Sequence, residues 1–204
     1  MPGTYHNRMS AAISIEQIKA DLRRDAVARR DALPPDMRKA AAEAIAARAF
    51  PLPITSGTIV SGFMPMKSEI NPLPLMQKLS SAGALLALPR IVGRGHPLSM
   101  WAWEFGAPLE RGQWDIREPR ADAPEVDPDI LIVPLLVFDR AGYRLGFGAG
   151  YYDMTLTALR ARKTIAAVGI AFAAQEIEAV PRTERDARLD LVLTEREVID
   201  LRGR

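Results

Sequence analysis

Residues 130–160, ILIVPLLVFDRAGYRLGFGAGYYDMTLTALR, decide the fold of this chain. The first four form an apolar run typical of a buried strand, and the amphipathic segment 151–160 predicts a helix. Between them stand three glycines at alternate positions, Gly146, Gly148 and Gly150. Glycine takes positive φ freely and has no Cβ to keep a ligand away from the backbone. A strand, a glycine loop and a helix start therefore follow one another, and the backbone N–H groups of such an arrangement can face an anion.

Two charges flank the glycines. Arg144 stands just before the loop and Asp153 just after it, a combination that suits a phosphate carrying a divalent cation. The loop has neither the Lys-Ser or Lys-Thr of the Walker pattern nor the G-x-G-x-x-G spacing of dinucleotide-binding loops. From the glycines alone, a structural turn and a phosphate-binding loop both remain open.

The residues around the glycines carry a more specific signal. Residues 138–153 follow the string Phe-Asp-x-x-Gly-x-Arg-Leu-Gly-x-Gly-x-Gly-Tyr-Tyr-Asp. This string resembles the signature of the 5-formyltetrahydrofolate cyclo-ligase family, also called 5,10-methenyltetrahydrofolate synthetases, and the similarity runs through most of residues 15–195. It implies an enzyme that uses ATP and magnesium to phosphorylate the formyl oxygen of 5-formyltetrahydrofolate. The second reactive nitrogen of the folate then attacks the activated carbon, which yields 5,10-methenyltetrahydrofolate, ADP and phosphate.

The resemblance also implies an ATP site. Lys19 and Arg23 stand four residues apart on a predicted first helix. Spacing alone predicts a solvated basic face, whereas the family uses a Lys-x-x-x-Arg pair at this place to reach the nucleotide phosphates. Two loop positions depart from the family. Relatives often carry tyrosine or arginine at the position of Phe147, and glycine or lysine at that of Ala149. These departures could lower the affinity for phosphate but should not alter the reaction class. The implied ATP-binding residues are Lys19, Arg23, Arg144, Leu145, Gly146, Phe147, Gly148, Ala149, Gly150, Tyr151 and Tyr152.

A folate site and a metal site follow from the same resemblance. Met-x-Met-x-x-Glu after a predicted strand resembles the family's folate-contacting segment, although core packing is the common role of methionine. The Glu69 carboxylate could accept hydrogen bonds from the amino-pyrimidinone edge of a pterin. The second metal carboxylate is assigned to Asp186, with Asp190 as the fallback and a solvated loop charge as the alternative. The implied substrate-binding residues are Met64, Glu69, Trp114, Gly148, Tyr151 and Tyr152, and the implied metal ligands are Asp153 and Asp186.

Buried strands alternate with helices along the chain, which predicts a three-layer α/β/α domain with a mostly parallel sheet. Ser14 and Gln17 form a capping box before a helix from residue 15 to about 30, with Ile15, Ile18 and Leu22 expected to face the core. A second capping box, Thr194 to Glu197, predicts a short terminal helix. If the three site segments converge at one edge, the final strand, residues 189–193, has to run opposite to its neighbours.

Composition narrows the function classes. The 204 residues, 48% of them hydrophobic, fit one domain, residues 13–204, after a flexible tail of residues 1–12. The chain has no cysteine and two histidines, so a metal would be held by oxygens, which favours magnesium, manganese or calcium. A net charge of +2 without basic runs among aromatics argues against nucleic acid. With neither a long apolar run nor a signal peptide, we expect a cytoplasmic protein without a membrane partner, a monomer rather than an oligomer.

Two other function classes remain open. One is a non-catalytic, nucleotide-responsive binding module that kept the fold and lost turnover. The other is a sugar-phosphate isomerase of similar layered architecture, which needs neither ATP nor metal. Formation of the methenyl product together with ADP would distinguish the ligase from both.

Overall fold

The computed structural model describes residues 14–203, so the predicted tail of residues 1–12 lies outside the described residues. Within residues 14–203 no helix has both the length and the hydropathy needed to cross a membrane. The α-helices of this range are α1 (Ile15–Asp31), α2 (Pro35–Ala47), α3 (Leu73–Ser81) and α4 (Tyr151–Arg160). The strands are β1 (Ile59–Ser61), β2 (Leu85–Arg90), β3 (Ser99–Ala102), β4 (Glu110–Arg111), β5 (Arg117–Glu118), β6 (Ile130–Val133), β7 (Val137–Phe138), β8 (Arg144–Leu145), β9 (Ala166–Ile170), β10 (Leu191–Leu193) and β11 (Val198–Asp200).

Seven strands form the central sheet of the described range, in the order β11-β10-β9-β6-β1-β2-β3. The five inner strands are parallel, while β3 and β11 pair antiparallel at the two edges. Strands β4 and β5 form a separate antiparallel ribbon, and so do β7 and β8. The predicted α/β fold with a mostly parallel sheet is confirmed.

Helices cover both faces of this sheet, because its inner strands are apolar on both sides. Ile130 and Ile132 of β6 pack into the core cluster that contains α2 and α3, whereas Leu131 and Val133 pack into the cluster that contains α4. All four side chains are at most 5% exposed. The sheet therefore lies between α2 and α3 on one face and α4 on the other, which is the predicted three-layer arrangement.

Helix α1 stands apart from these layers. It begins where Ser14 Oγ accepts a hydrogen bond of 3.2 Å from the backbone N–H of Gln17, as the capping pattern predicts. Ala26 and Leu22 pack in a third apolar cluster, with residues of the β7–β8 ribbon. Helix α1 is thus placed beside the ribbon that precedes the glycine loop.

The prediction that Ile15 and Ile18 face the core is wrong. These side chains are 36% and 45% exposed, and the buried residues of α1 are Lys19, Ala26 and Arg30. Residues 19, 26 and 30 share one face of a helix with 3.6 residues per turn. Helix α1 therefore turns a partly cationic face inward, because that face meets polar partners on the glycine loop and neighbouring segments.

The predicted helix after Thr194 is also wrong. Thr194 Oγ1 does accept a hydrogen bond of 3.1 Å from the Glu197 backbone N–H, as a helix cap would. The Thr194 N–H in turn donates to the Glu197 carbonyl, which closes the chain into a tight turn between β10 and β11. The contact between the Thr194 hydroxyl and the Glu197 N–H occurs both at helix starts and in turns. Here the antiparallel pairing of β11 with β10 favours the turn.

The final predicted strand, β10, does not run opposite to its neighbour, since it is parallel to β9. Residues 183–190 instead run along α4 before β10 begins. Near the start of α4 the Ala187 N–H donates to Asp153 Oδ1, and at its end Arg160 donates to the Arg188 carbonyl. The second carboxylate segment thus reaches the start of α4, and no reversal of β10 is required.

Candidate active site

The topology of the sheet places the site. Strands β1 and β6 are neighbours at its centre, yet the chain continues from β1 toward β2 and from β6 toward β9, on opposite sides. Open α/β sheets bind ligands at such a switch point, outside the carboxyl ends of the strands. Residues 62–69 leave the end of β1, and the segment that leads to the glycine loop leaves the end of β6. Both predicted site segments therefore start at the switch point.

A cleft of about 980 Å³ opens there. All the residues predicted from the sequence as ATP, folate or metal contacts line it, which brings α1, the β1 and β6 exits, the start of α4 and residues 183–186 around one space. Asp190, the fallback metal ligand, is not among the lining residues. It accepts hydrogen bonds from Arg160 at the far end of α4 and from the Ala167 N–H.

The glycine loop is shaped for close approach. Gly148 and Gly150 have φ of 104° and 70°, in the region that favours glycine. Gly150 is the N-cap of α4, so the first N–H groups of that helix have no intrahelical acceptor and can face an anion. Arg23 lies against the loop: its Nε donates to the Gly146 carbonyl at 3.0 Å. The loop thus combines backbone donors with a guanidinium.

Two carboxylates stand at the start of α4, each beside a cation. Asp153 Oδ1 accepts hydrogen bonds from Arg144 Nη2 at 2.9 Å and from the Ala187 N–H at 3.0 Å. Asp186 Oδ2 accepts from Lys19 Nζ at 2.7 Å and from the Thr183 N–H at 2.6 Å. These contacts hold the two side chains in place, each through one of its oxygens.

Burial shapes the charges of this cluster. Arg144 is 6% exposed, and burial lowers the pKa of its guanidinium while Asp153 and Asp186 oppose that shift. Burial acts against ionisation of Asp186 as well. Hydrogen bonds from Lys19 and Thr183 outweigh it and hold the pKa of that carboxyl below its usual range. The cluster therefore combines a buried guanidinium with a partly buried carboxylate whose ionised form is stabilised by its hydrogen bonds.

The donor set fits a magnesium ion. Within residues 14–203 no protein group donates to Asp153 Oδ2 or to Asp186 Oδ1, so each carboxylate keeps one oxygen for a cation. The same range contains no cluster of three or more His, Cys, Asp or Glu side chains that could hold a metal. Magnesium is commonly bound by one or two carboxylates, with water and phosphate oxygens completing the octahedron. A two-carboxylate site therefore suits magnesium with a phosphate ligand.

One wall of the same cleft, lined by Met64, Glu69 and Trp114, carries the predicted folate contacts that lie outside the glycine loop and α4. Glu69 Oε2 accepts a hydrogen bond of 2.8 Å from the Met66 N–H, and burial raises the pKa of its carboxyl. Burial also raises the pKa of the Tyr152 hydroxyl, and the Glu69 charge adds to that shift. Trp114 is 64% exposed and its ring lies 6.0 Å from that of Tyr151. This wall combines apolar and aromatic side chains with the Glu69 carboxylate.

Glu118 is a residue of this wall that the sequence reasoning did not single out. It lines the cleft, is 4% exposed, and lies 3.4 Å from Arg90 Nε. A Cβ on Gly112 would stand 2.1 Å from its carboxyl carbon, so only glycine leaves room there. Glu118 thus ties the β4–β5 ribbon, which carries Trp114, to Arg90 of β2. The signal available in the sequence was the pattern Gly-x-x-x-Ile-x-Glu-Pro of residues 112–119.

Comparisons with known proteins show what this chain is similar to. The family model described as the 5-formyltetrahydrofolate cyclo-ligase family matches residues 15–195. The 5-formyltetrahydrofolate cyclo-ligase of Escherichia coli K12 is 33% identical over 180 residues, which cover 83% of this chain and 96% of that protein. The enzyme of the same name from Mycolicibacterium smegmatis is 31% identical over 192 residues, 90% of this chain and 97% of that protein.

A solved structure shares the fold. The NMR structure of 5,10-methenyltetrahydrofolate synthetase from Aquifex aeolicus superposes with a TM-score of 0.75 at 32% identity. The match covers 92% of this chain and 95% of that one. The cleft described above therefore lies in a fold that these enzymes share.

Proposed function

Because this chain belongs to the 5-formyltetrahydrofolate cyclo-ligase family, a family of ligase enzymes, we propose that it converts 5-formyltetrahydrofolate to 5,10-methenyltetrahydrofolate with ATP and magnesium. ADP and phosphate are the other products. The observation that carries the proposal is the meeting, in one cleft, of the glycine loop, two cation-supported carboxylates and the apolar wall with Glu69.

ATP binds with its phosphates on the glycine loop. The N–H groups at the start of α4 and the guanidinium of Arg23 supply hydrogen-bond donors. Lys19 donates to Asp186 and has further N–H groups that can donate to a phosphate oxygen. Magnesium held by Asp153 and Asp186 would offset negative charge on the triphosphate. Arg144 holds Asp153 in its orientation and adds positive charge from behind.

The folate binds against the wall of Met64, Glu69 and Trp114, with its pterin edge on the Glu69 carboxylate and its rings between Met64 and the Tyr151–Trp114 pair. The oxygen of the N5-formyl group attacks the γ-phosphorus of ATP, and ADP leaves. N10 then attacks the activated carbon. The C–O bond breaks, phosphate leaves with the former formyl oxygen, and N10 loses its proton. The chain contributes position and charge, since chemistry occurs between the two substrates.

The absorbance of the methenyl product tests this function. The protein is incubated with 5-formyltetrahydrofolate, ATP and magnesium, and the absorbance is followed together with ADP. Both products are expected in equal amounts, with neither formed when ATP is omitted. ATP binding without product would instead indicate the binding module, and ATP-independent interconversion of sugar phosphates would indicate the isomerase.

A further inference from the structure

Arg30 is a buried cation for which the proposed reaction has no role. It stands in the last turn of α1, is 2% exposed, and lies on the helix face that carries Lys19 and Ala26. Within residues 14–203 its Nη1 is buried without a hydrogen-bond partner. Burying a guanidinium is costly, and burying one with an unpaired N–H costs more. A buried cation of this kind calls for a role beyond packing.

Its hydrogen-bond partner lies next to Glu69. Arg30 Nε donates to Ser68 Oγ at 3.0 Å, and Ser68 in turn donates to the carboxylate of Asp31, the last residue of α1. Ser68 is 4% exposed and directly precedes Glu69. The end of α1 is therefore bonded to the short loop that carries Glu69, because Arg30 and Asp31 both contact the Ser68 hydroxyl.

The charge of Arg30 acts in the same place. Glu69 has its carboxylate bonded to the Met66 N–H rather than to Arg30, yet the two opposite charges attract each other through a low-dielectric interior. Burial alone favours the neutral form of Glu69, and the guanidinium works against it. A pterin edge that presents N–H donors needs the ionised carboxylate. The guanidinium Cζ lies 5.6 Å from the centroid of the Phe147 ring, a residue of the glycine loop.

We propose that Arg30 is a positioning residue for the pterin end of the cleft: it holds the Ser68–Glu69 loop in place and supplies the positive charge behind the Glu69 carboxylate. This inference rests on the proposed function, since it takes the pterin to be the group that Glu69 binds. Helix α1 then serves both substrates, with Lys19 and Arg23 toward the phosphates and Arg30 toward the folate wall.

Equilibrium binding tests the inference without turnover. Binding of 5-formyltetrahydrofolate and of ADP is measured by titration calorimetry for the wild type and for Arg30→Gln, Arg30→Lys and Arg29→Gln. Arg29 is the exposed neighbour and carries the matched control substitution. We expect Arg30→Gln to weaken folate binding by about ten- to a hundredfold and ADP binding by less than about twofold. Arg30→Lys should recover part of the loss because it keeps the charge, and Arg29→Gln should bind both ligands as the wild type does.

Two outcomes separate this inference from the proposed function. Wild-type protein that binds no folate would contradict the proposed function itself. Wild-type protein that binds folate, with Arg30→Gln binding it equally well or losing both ligands equally, would overturn the role of Arg30 alone. If Arg30→Gln does not fold, Ser68→Ala removes the Nε acceptor and leaves the guanidinium in place. Unchanged folate affinity in that variant would also overturn the inference, and a selective loss would support it.

Discussion

Replacing Lys19 with methionine tests the phosphate side of the cleft. Lys19 is 6% exposed, and its Nζ lies 2.7 Å from Asp186 Oδ2. Methionine keeps much of the side-chain volume and removes the charge. Asp186 stays bonded to the N–H and the hydroxyl of Thr183, so its position should change little. The substitution therefore removes one charge-assisted contact from the cleft.

The size of the effect follows from that contact. A hydrogen bond between charged groups contributes about 1.5–3 kcal/mol, and this pair is largely shielded from water. The free energy of unfolding should fall by about that amount, which lowers Tm by roughly 4–10 °C for a chain of this size. In the ATP complex the Lys19 ammonium is shared between Asp186 and a phosphate. Its contribution to the binding free energy of ATP is therefore smaller than its contribution to folding. We expect the KM for ATP to rise about tenfold and the KM for folate to change less than about twofold.

The assay follows methenyl product while one substrate is varied at saturation of the other. Lys39→Met is the matched control, since that ammonium is 78% exposed and lies 3.8 Å from Glu43 on α2, where an exposed pair contributes little. The control should leave both KM values and Tm unchanged. Equal rises in both KM values for Lys19→Met, or a lower Tm with no change in the KM for ATP, would refute the assignment of Lys19 to the phosphates.

Four further substitutions test other parts of the site. Asp153→Asn keeps a hydrogen-bond acceptor for Arg144 but removes the negative charge, so turnover should vanish. The free energy of unfolding, measured with urea, should fall by only about 1–3 kcal/mol. A variant with wild-type turnover would exclude Asp153 as a metal ligand. Gly148→Ala should raise the KM for ATP more than Gly150→Ala, because a Cβ on Gly148 would stand 3.1 Å from Arg23 Cζ whereas one on Gly150 meets open space; the reverse order would argue against Arg23 as a phosphate contact. Burial raises the folded-state pKa of Glu69, so the folded protein loses stability as pH rises from the unfolded value of 4.5 through the folded one. The Tm of Glu69→Gln should therefore rise relative to that of the wild type as pH rises from about 4 to about 8. A variant Tm that falls relative to the wild type over that range would show the opposite pKa shift.

The centre of the fold could be predicted from the sequence because its signals are local. The apolar run of β6, the glycines and the amphipathic turn pattern of α4 each act within a few residues, and the predicted bounds Ile130–Val133 and 151–160 match those of β6 and α4. The site residues from Arg144 to Asp153 came from a motif whose spacing is equally local. For these elements the chain needs no distant partner to decide between alternatives.

The wrong predictions depend on contacts outside the short pattern from which each was made. Ile15 and Ile18 carry helical periodicity, but the rotation of α1 about its axis is set by polar partners up to 167 residues away, as in the contact of Lys19 with Asp186. Thr194 caps either a helix or a turn until β11 pairs with β10. A basic residue in the last turn of a helix interacts favourably with the helix dipole, so the sequence predicts an ordinary exposed role for Arg30. Only the folded chain shows that Arg30 is buried.

The fate of one oxygen atom tests the central claim most directly. 5-Formyltetrahydrofolate labelled with oxygen-18 in the formyl group is incubated with the protein, ATP and magnesium, and the mass of the released phosphate is measured. If the formyl oxygen attacks the γ-phosphorus in this cleft, each phosphate carries one labelled oxygen and appears with one ADP and one methenyl product. Methenyl product formed with unlabelled phosphate would contradict phosphorylation of the formyl group.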